Sequence, residues 1–242
     1  MTEEYHYKFT DWVLLVPMIS VLSIWTVYWF EIKFQTNLNS WGIYPRTLDG
    51  LKGILFSPFL HGSISHLYNN TIPLAVLSAA LVYFYRDISW KVFLYGLLLT
   101  GVFTWLVGRD AYHIGASGLI YLLASFIFFK GVFTKYFRLI ALSLIVVFVY
   151  GSLIWFIFPI KEGVSWEGHL AGFVTGLFLA IILKANVPKP KKYAWEDDNY
   201  REEDDEFLRH FDADGNFMEQ TKEAENTPLK IIYHLKKEDS EE

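Results

Sequence analysis

Polar side chains are costly inside apolar segments, and this chain sets them there in three clusters. The first runs from His61 to Asn70, as His61-Gly-Ser-Ile-Ser-His66-Leu-Tyr-Asn69-Asn70. His66 and Asn70 stand one helical turn apart, so two hydrogen-bond donors project from one face, whereas His61 precedes the helix or points elsewhere. The second cluster, Gly115-Ala-Ser117-Gly118, puts a serine in the first turn of a helix. Unpaired backbone amides at such a positive dipole end can stabilise an oxyanion. Tyr121 follows on the face of Ser117. The third cluster is Gly168-His169 with Gly172 and Gly176, an imidazole sharing a face with two glycines that admit another helix. Taken singly, each cluster also fits helix packing, with His and Asn bridging helices, small residues allowing close approach, or a His satisfied by a backbone carbonyl. The chain has no cysteine, so disulfides, thiolate zinc sites and a cysteine nucleophile are excluded, and its chemistry rests on oxygen and imidazole.

The elements that must position these residues are apolar helices. With 53% hydrophobic and 19% aromatic residues, the composition is too apolar for an ordinary water-soluble domain of this length. Six stretches approach the ~20 apolar residues that a spanning helix requires, namely residues 12–30, 64–85, 90–108, 115–133, 137–158 and 166–184. The fold expected is therefore an all-α membrane protein, a bundle of six transmembrane helices. Connections are short except residues 31–63, whose Trp41-Gly-Ile-Tyr44-Pro45-Arg46 run and Pro58 suit a structured segment at the membrane surface, packed on the bundle. Met1-Thr-Glu-Glu lacks the basic region of a secretory signal, so the first span is expected to be retained.

With the N-terminus inside, ten Lys and Arg fall on the inner segments and five on the outer loops, which predicts that both termini are cytoplasmic. Charge also divides the chain. Residues 1–188 carry 9 acidic and 12 basic side chains and form the six-span core, whereas residues 189–242 carry 17 acidic and 9 basic and read as an acidic cytoplasmic tail, partly disordered. No basic patch with interleaved aromatics suggests nucleic acid. Asp212-Ala-Asp-Gly215 faintly resembles a calcium loop, but that register puts His210 at the first ligand and Thr221 at the bidentate position. Leu229 to Leu235 fits a short strand or an amphipathic turn.

Spans two, four and six run in the same direction, and His66, Ser117 and His169 each lie early in one of them. They are expected at one depth beneath the outer surface, in a polar and hydrated pocket. The pattern His61-x4-His66-x3-Asn70, Gly115-x-Ser117-Gly118, Gly168-His169-x2-Gly172-x3-Gly176, on spans two, four and six, resembles the rhomboid protease family over about residues 12–184. The resemblance implies an intramembrane serine endopeptidase in which Ser117 attacks the scissile carbonyl and His169 takes its proton. It implies further that His66, Asn70 and the Ser117 amide are oxyanion donors, that His61 is structural, and that Tyr121 packs on the imidazole. Many family members carry Trp-Arg shortly before the first histidine, where this chain has Leu51-Lys52-Gly53, so the family's way of fixing the first loop is not implied.

A serine needs a base within hydrogen-bond reach. No carboxylate of the spans reads as orienting His169, so a dyad is expected, with Tyr121 and the Gly172 and Gly176 packing in place of the acid of a triad. No metal or organic cofactor is implied. The partners implied are the lipid bilayer and membrane-anchored protein substrates whose transmembrane helix unwinds near the outer face, and the location implied is a bacterial inner membrane. Two other readings compete. One is a catalytically silent rhomboid-like protein that binds membrane clients, and the other is a metal transporter using His61, His66, His113 and His169.

Overall fold

The computed structural model describes residues 7–160, 163–187, 193–212 and 214–218. By internal packing the chain separates into two compact units, Met1–Pro190 and Lys191–Glu242.

The first unit is an all-α membrane-spanning bundle. Its long helices are α1 (Trp12–Phe34), α2 (Ile64–Phe84), α3 (Ser89–Val107), α4 (Ser117–Thr134), α5 (Phe137–Tyr150) and α6 (Trp166–Ile182). Five stretches are long and apolar enough to cross a bilayer: α1, α2, α3, α4, and α5 together with its extension to Ile157. Two expectations change here. The fifth span is not one α-helix, because its last part, Gly151–Ile157, tightens into a 3-10 helix. The sixth is only 17 residues long, about 26 Å at 1.5 Å per residue, just short of a ~30 Å hydrocarbon core.

Lys130 completes that short helix. By sequence it counts among the inner loop charges, yet it lies buried within α4. Its ammonium donates to the Ala180 carbonyl at 3.0 Å and to that of Leu183, the oxygens that the end of α6 leaves without intrahelical partners.

Helix α4 is the most enclosed of the spanning helices and α1 the least. The most extensive helix contact is α4 against α6, while α1 lies on α2, α5 on α4 and α3 on α6. Leu67, Leu77, Leu81, Leu122, Phe126 and Leu179 fill the core between them.

The long first connection is structured and packed on the bundle. It holds 3-10 turns at Asn39–Trp41, Asp49–Lys52 and Ser57–Phe59 and one α-turn at Gly53–Phe56. Arg46, at φ 58°, accepts the strain of a left-handed backbone and ties this loop to the end of α3. Its amide donates to the Trp105 carbonyl at 3.1 Å, and its guanidinium to the Gly108 carbonyl at 2.6 Å and to Asp110. Trp105 Nε1 returns a bond to the Thr47 carbonyl at 2.9 Å. Gly53 is required there, because a Cβ would lie 2.2 Å from the Ile43 amide nitrogen.

In the second unit the described residues form 3-10 turns at Ala194–Glu196, Glu202–Asp204 and Leu208–His210 and a small hairpin pairing Phe211 with Phe217. The Asp212 carboxylate, a candidate calcium ligand by sequence, closes this hairpin on the amide and side chain of Asn216 at 2.8 and 3.1 Å. Thr221 and residues 229–235 lie outside the described residues.

Candidate active site

Helix α4 opens on Ser117 because the backbone reverses just before it. Gly115 has φ 107°, a region that side-chain-bearing residues rarely enter, and its amide is tied to the Ser57 carbonyl at 2.8 Å. The first intrahelical bond runs from Ile120 N–H to the Ala116 carbonyl at 3.1 Å, so the amides of Ser117, Gly118 and Leu119 precede the ladder at the positive end of the dipole.

Helix α6 starts at Trp166, with the Ser165 hydroxyl accepting from Gly168 N–H at 3.3 Å. His169 thus stands in the first turns of its helix, buried at 7% exposure. Its Nε2 lies 2.9 Å from Ser117 Oγ, and its Nδ1 lies 2.9 Å from the Phe156 carbonyl oxygen. A carbonyl only accepts, so Nδ1 carries the proton. Nε2 then presents its lone pair to the serine hydroxyl. Tyr121 stacks on the imidazole with centroids 4.2 Å apart and planes 9° apart, and its hydroxyl donates to the Leu153 carbonyl at 2.7 Å. Both carbonyls come from the 3-10 segment Gly151–Ile157. The imidazole is therefore oriented by main chain as well as by Tyr121 and helix packing, through the backbone carbonyl that the packing alternative named, here used alongside the contact to Ser117.

The glycines of α6 set how deeply α4 can approach. A Cβ at Gly172 would stand 2.1 Å from the Gly118 carbonyl oxygen, and one at Gly176 would stand 2.4 Å from that of Leu122. Gly118 is less tightly bounded, with a Cβ meeting Thr100 at 3.2 Å and the Gly168 carbonyl at 3.4 Å.

His66 and Asn70 come to the same place from α2. A Cβ on Gly115 would fall 2.6 Å from the His66 ring and 3.6 Å from Asn70 Nδ2, so the turn that delivers Ser117 packs directly on both side chains. His61 precedes α2, but its ring folds back to within 4.9 Å of the His66 ring. It accepts from Asn70 Nδ2 at Nε2 (3.0 Å) while Nδ1 faces the Phe59 carbonyl at 3.3 Å. Burial, with a smaller contribution from His66 and against the pull of that carbonyl, pushes the His61 pKa down to about 4. The ring stays neutral and fixes the Asn70 amide.

The structure adds four residues that the sequence reading passed over as members of one group. Glu167, two residues before His169, is 2% exposed. Its carboxylate accepts from Arg109 Nη1 at 3.2 Å on both oxygens and from the Arg109 amide at 3.3 Å, and no bond runs from it to His169. Beside this pair, His113 Nδ1 lies 2.6 Å from Ser165 Oγ and its Nε2 donates to the Arg109 carbonyl at 3.1 Å. Burial lowers the His113 pKa, with the Arg109 carbonyl and Glu167 opposing. A carboxylate at the head of an apolar helix was the available signal, while its Arg lies in the loop before α4 rather than in the one before α6. The metal-transporter reading loses its ligand set here, since His113, His61 and His169 turn their nitrogens to different partners.

A cavity of about 30 Å³ behind Ser117 is lined by Ser57, Thr100, His113 and Ser165, among others, a space and polarity suited to a single water. The larger grooves, of about 640 and 680 Å³, are apolar and run along α1.

A family model described as the Rhomboid domain matches residues 49–186, more than half of the chain and all of α2 to α6 with the clusters above. The match begins after α1, so it is narrower than the resemblance suggested. Among curated relatives, an uncharacterized protein of Mycobacterium bovis and one of Mycobacterium tuberculosis are each 39% identical over 155 residues, covering 60% of this chain and 64% of theirs. An uncharacterized protein of Mycobacterium leprae is 37% identical over 162 residues, covering 62% of each. The chain thus spans somewhat less than two thirds of the length of these relatives. On the family match, joined to an all-α bundle of membrane-spanning helices, this chain belongs to the rhomboid family.

Proposed function

We propose that this chain is an intramembrane serine endopeptidase that uses Ser117 as nucleophile and His169 as general base and acid. The carrying observation is the 2.9 Å contact between Ser117 Oγ and a His169 Nε2 whose Nδ1 proton is held by the Phe156 carbonyl. In the first step Nε2 takes the hydroxyl proton as Oγ adds to the scissile carbonyl. The same nitrogen then gives that proton to the leaving amine as the C–N bond breaks. Water, deprotonated by Nε2, opens the acyl-enzyme, and the proton returns to Ser117. The oxyanion is met by the backbone amides at the head of α4 and by the side chains of His66 and Asn70, which lie against the Gly115 turn.

The substrates of this reading are membrane-anchored proteins, cut in a transmembrane segment near the outer face. A helical peptide bond is shielded by its own turn, so a substrate whose helix is weakened by Gly or Pro opens more readily. In this reading α6 is the sixth span, both termini are cytoplasmic, the host membrane is a bacterial inner membrane, and residues 1–188 are the protease core with residues 189–242 as its tail. The mycobacterial relatives agree with a bacterial setting.

The test is cleavage of single-span substrates in proteoliposomes, with mass spectrometry locating the cut, beside labelling by a serine-directed fluorophosphonate. Wild type is expected to cleave and to label, and Ser117→Ala to do neither. Folded wild type that does neither favours the client-binding protein instead, and a cut on the cytoplasmic side of the substrate overturns the orientation.

A further inference from the structure

Ser117 and His169 both stand at helix heads, so their separation depends on how two loops are held. Arg109 and His113 lie in the loop that delivers Ser117, and Val164, Ser165 and Glu167 lie where the chain delivers His169. Arg109 bridges them through Glu167 and through a 2.8 Å bond from Nη2 to the Val164 carbonyl. His113 bridges them again through Ser165 at 2.6 Å. The His113 backbone also pairs with Ile43, N–H to carbonyl at 2.8 Å and 3.0 Å in return, so the first connection is stitched in at the same point.

The Gly172 to Gly118 contact fixes α4 and α6 on one side of the dyad. With the Gly176 to Leu122 contact it holds the two helix bodies together, but the loops that lead into the helix heads lie beyond these contacts. The loop bridges add a fixed point on the other side of the dyad, where the helix bodies no longer touch the incoming chain. Glu167 is buried to 2% exposure while the Arg109 side chain is 44% exposed. Burying a carboxylate is costly unless it is paired and hydrogen-bonded, and here neither member of the pair bonds to Ser117 or His169.

We propose that Arg109, Glu167, His113 and Ser165 form a clasp that holds Ser117 and His169 at reacting distance, acting as positioning residues rather than catalytic ones. The proposal rests on the protease reading. It makes turnover sensitive to a pair of loops that contribute no reacting atom, because a misplacement of about 1 Å at a reacting centre costs on the order of a hundredfold in rate.

The experiment compares wild type, Ser117→Ala, Arg109→Ala and Arg109→Lys, each as the full chain in proteoliposomes. It measures kcat and KM per fluorophosphonate-titrated site, with Ser117→Ala and its wild-type comparison taken per mole of folded protein, and amide hydrogen exchange across residues 108–117 and 163–169. Arg109→Ala is expected to lower kcat by roughly ten- to a hundredfold with KM within about twofold. Exchange in both loops should rise while that of the α4 interior stays unchanged. Arg109→Lys keeps the charge but not the fork, and is expected to recover part of the loss. It also gives a folded comparison should Arg109→Ala be poorly made. Wild-type kcat per titrated site in Arg109→Ala overturns the clasp, as does unchanged loop exchange whatever the activity. Wild type no more active than Ser117→Ala overturns the protease reading instead, and the exchange comparison still decides whether the loops are tied.

Discussion

At the scale of single residues, the two side chains proposed to meet the oxyanion are not equivalent. Asn70 has a second duty, since its amide also donates to His61, so Asn70→Ala removes a donor and frees a buried imidazole together. His66→Ala removes a ring that packs on Gly115 and is the cleaner test. Its kcat is expected to fall by about 10²–10³, the usual loss for one oxyanion donor, as measured by peptide release from a single-span substrate. Gly115→Ala should be at least as damaging. It forces a Cβ into a φ of 107° and to within 2.6 Å of the His66 ring. His61 gives a pH signature in stability. Its pKa in the folded protein is about 4 against an ordinary 6.5, so the unfolded chain takes up the proton first as the medium is acidified. The stability that this ring contributes is complete above pH 6.5, drains away between 6.5 and 4, and changes little below. The upper bound is about 3 kcal/mol for a shift of this size. Thermal unfolding in detergent at pH 7.5, 5.5 and 4.5 should show the decline, and the slope should shrink in His61→Gln.

At the scale of elements, the position of α6 is set by what glycine omits and by what Lys130 supplies. Gly172→Ala places a methyl 2.1 Å from a backbone oxygen, which cannot rotate aside, so α4 and α6 must part. A cost of about 1–3 kcal/mol is expected from overpacking, read as a lower unfolding temperature, together with loss of cleavage out of proportion to the loss of fold. Lys130→Met strips the end of α6 of two hydrogen bonds. It should destabilise by about 1–3 kcal/mol, the range for leaving buried acceptors unpaired, with a smaller effect on turnover per titrated site. The apolar stretches were legible in the sequence because hydropathy and length carry that information locally. The 3-10 ending at Gly151–Ile157 was not, since its residues remain apolar and its role lies in two carbonyls. Glu167 was within sight at the head of α6, but its partner is 58 positions away in the chain, and no local pattern reports such a pairing.

At the scale of the whole molecule, the residues of the candidate site all belong to the unit Met1–Pro190. A chain ending at Pro190 is therefore expected to keep its turnover within about twofold, provided that it is judged per titrated site. A larger loss would mean that the acidic segment takes part in substrate handling. The first connection, whose fixing the sequence left open where the family's Trp-Arg is missing, is held by Arg46, Trp105 and the Ile43 to His113 pairing. Those contacts join residues 58 to 70 positions apart, and composition alone could not have found them. The bond from His169 to Phe156 has a different consequence. Any amino acid at position 156 offers the same oxygen, so an alanine scan through Gly151–Ile157 would pass over the atom that steers the imidazole, and this position is free to drift in identity as long as the coil of the turn is inherited intact.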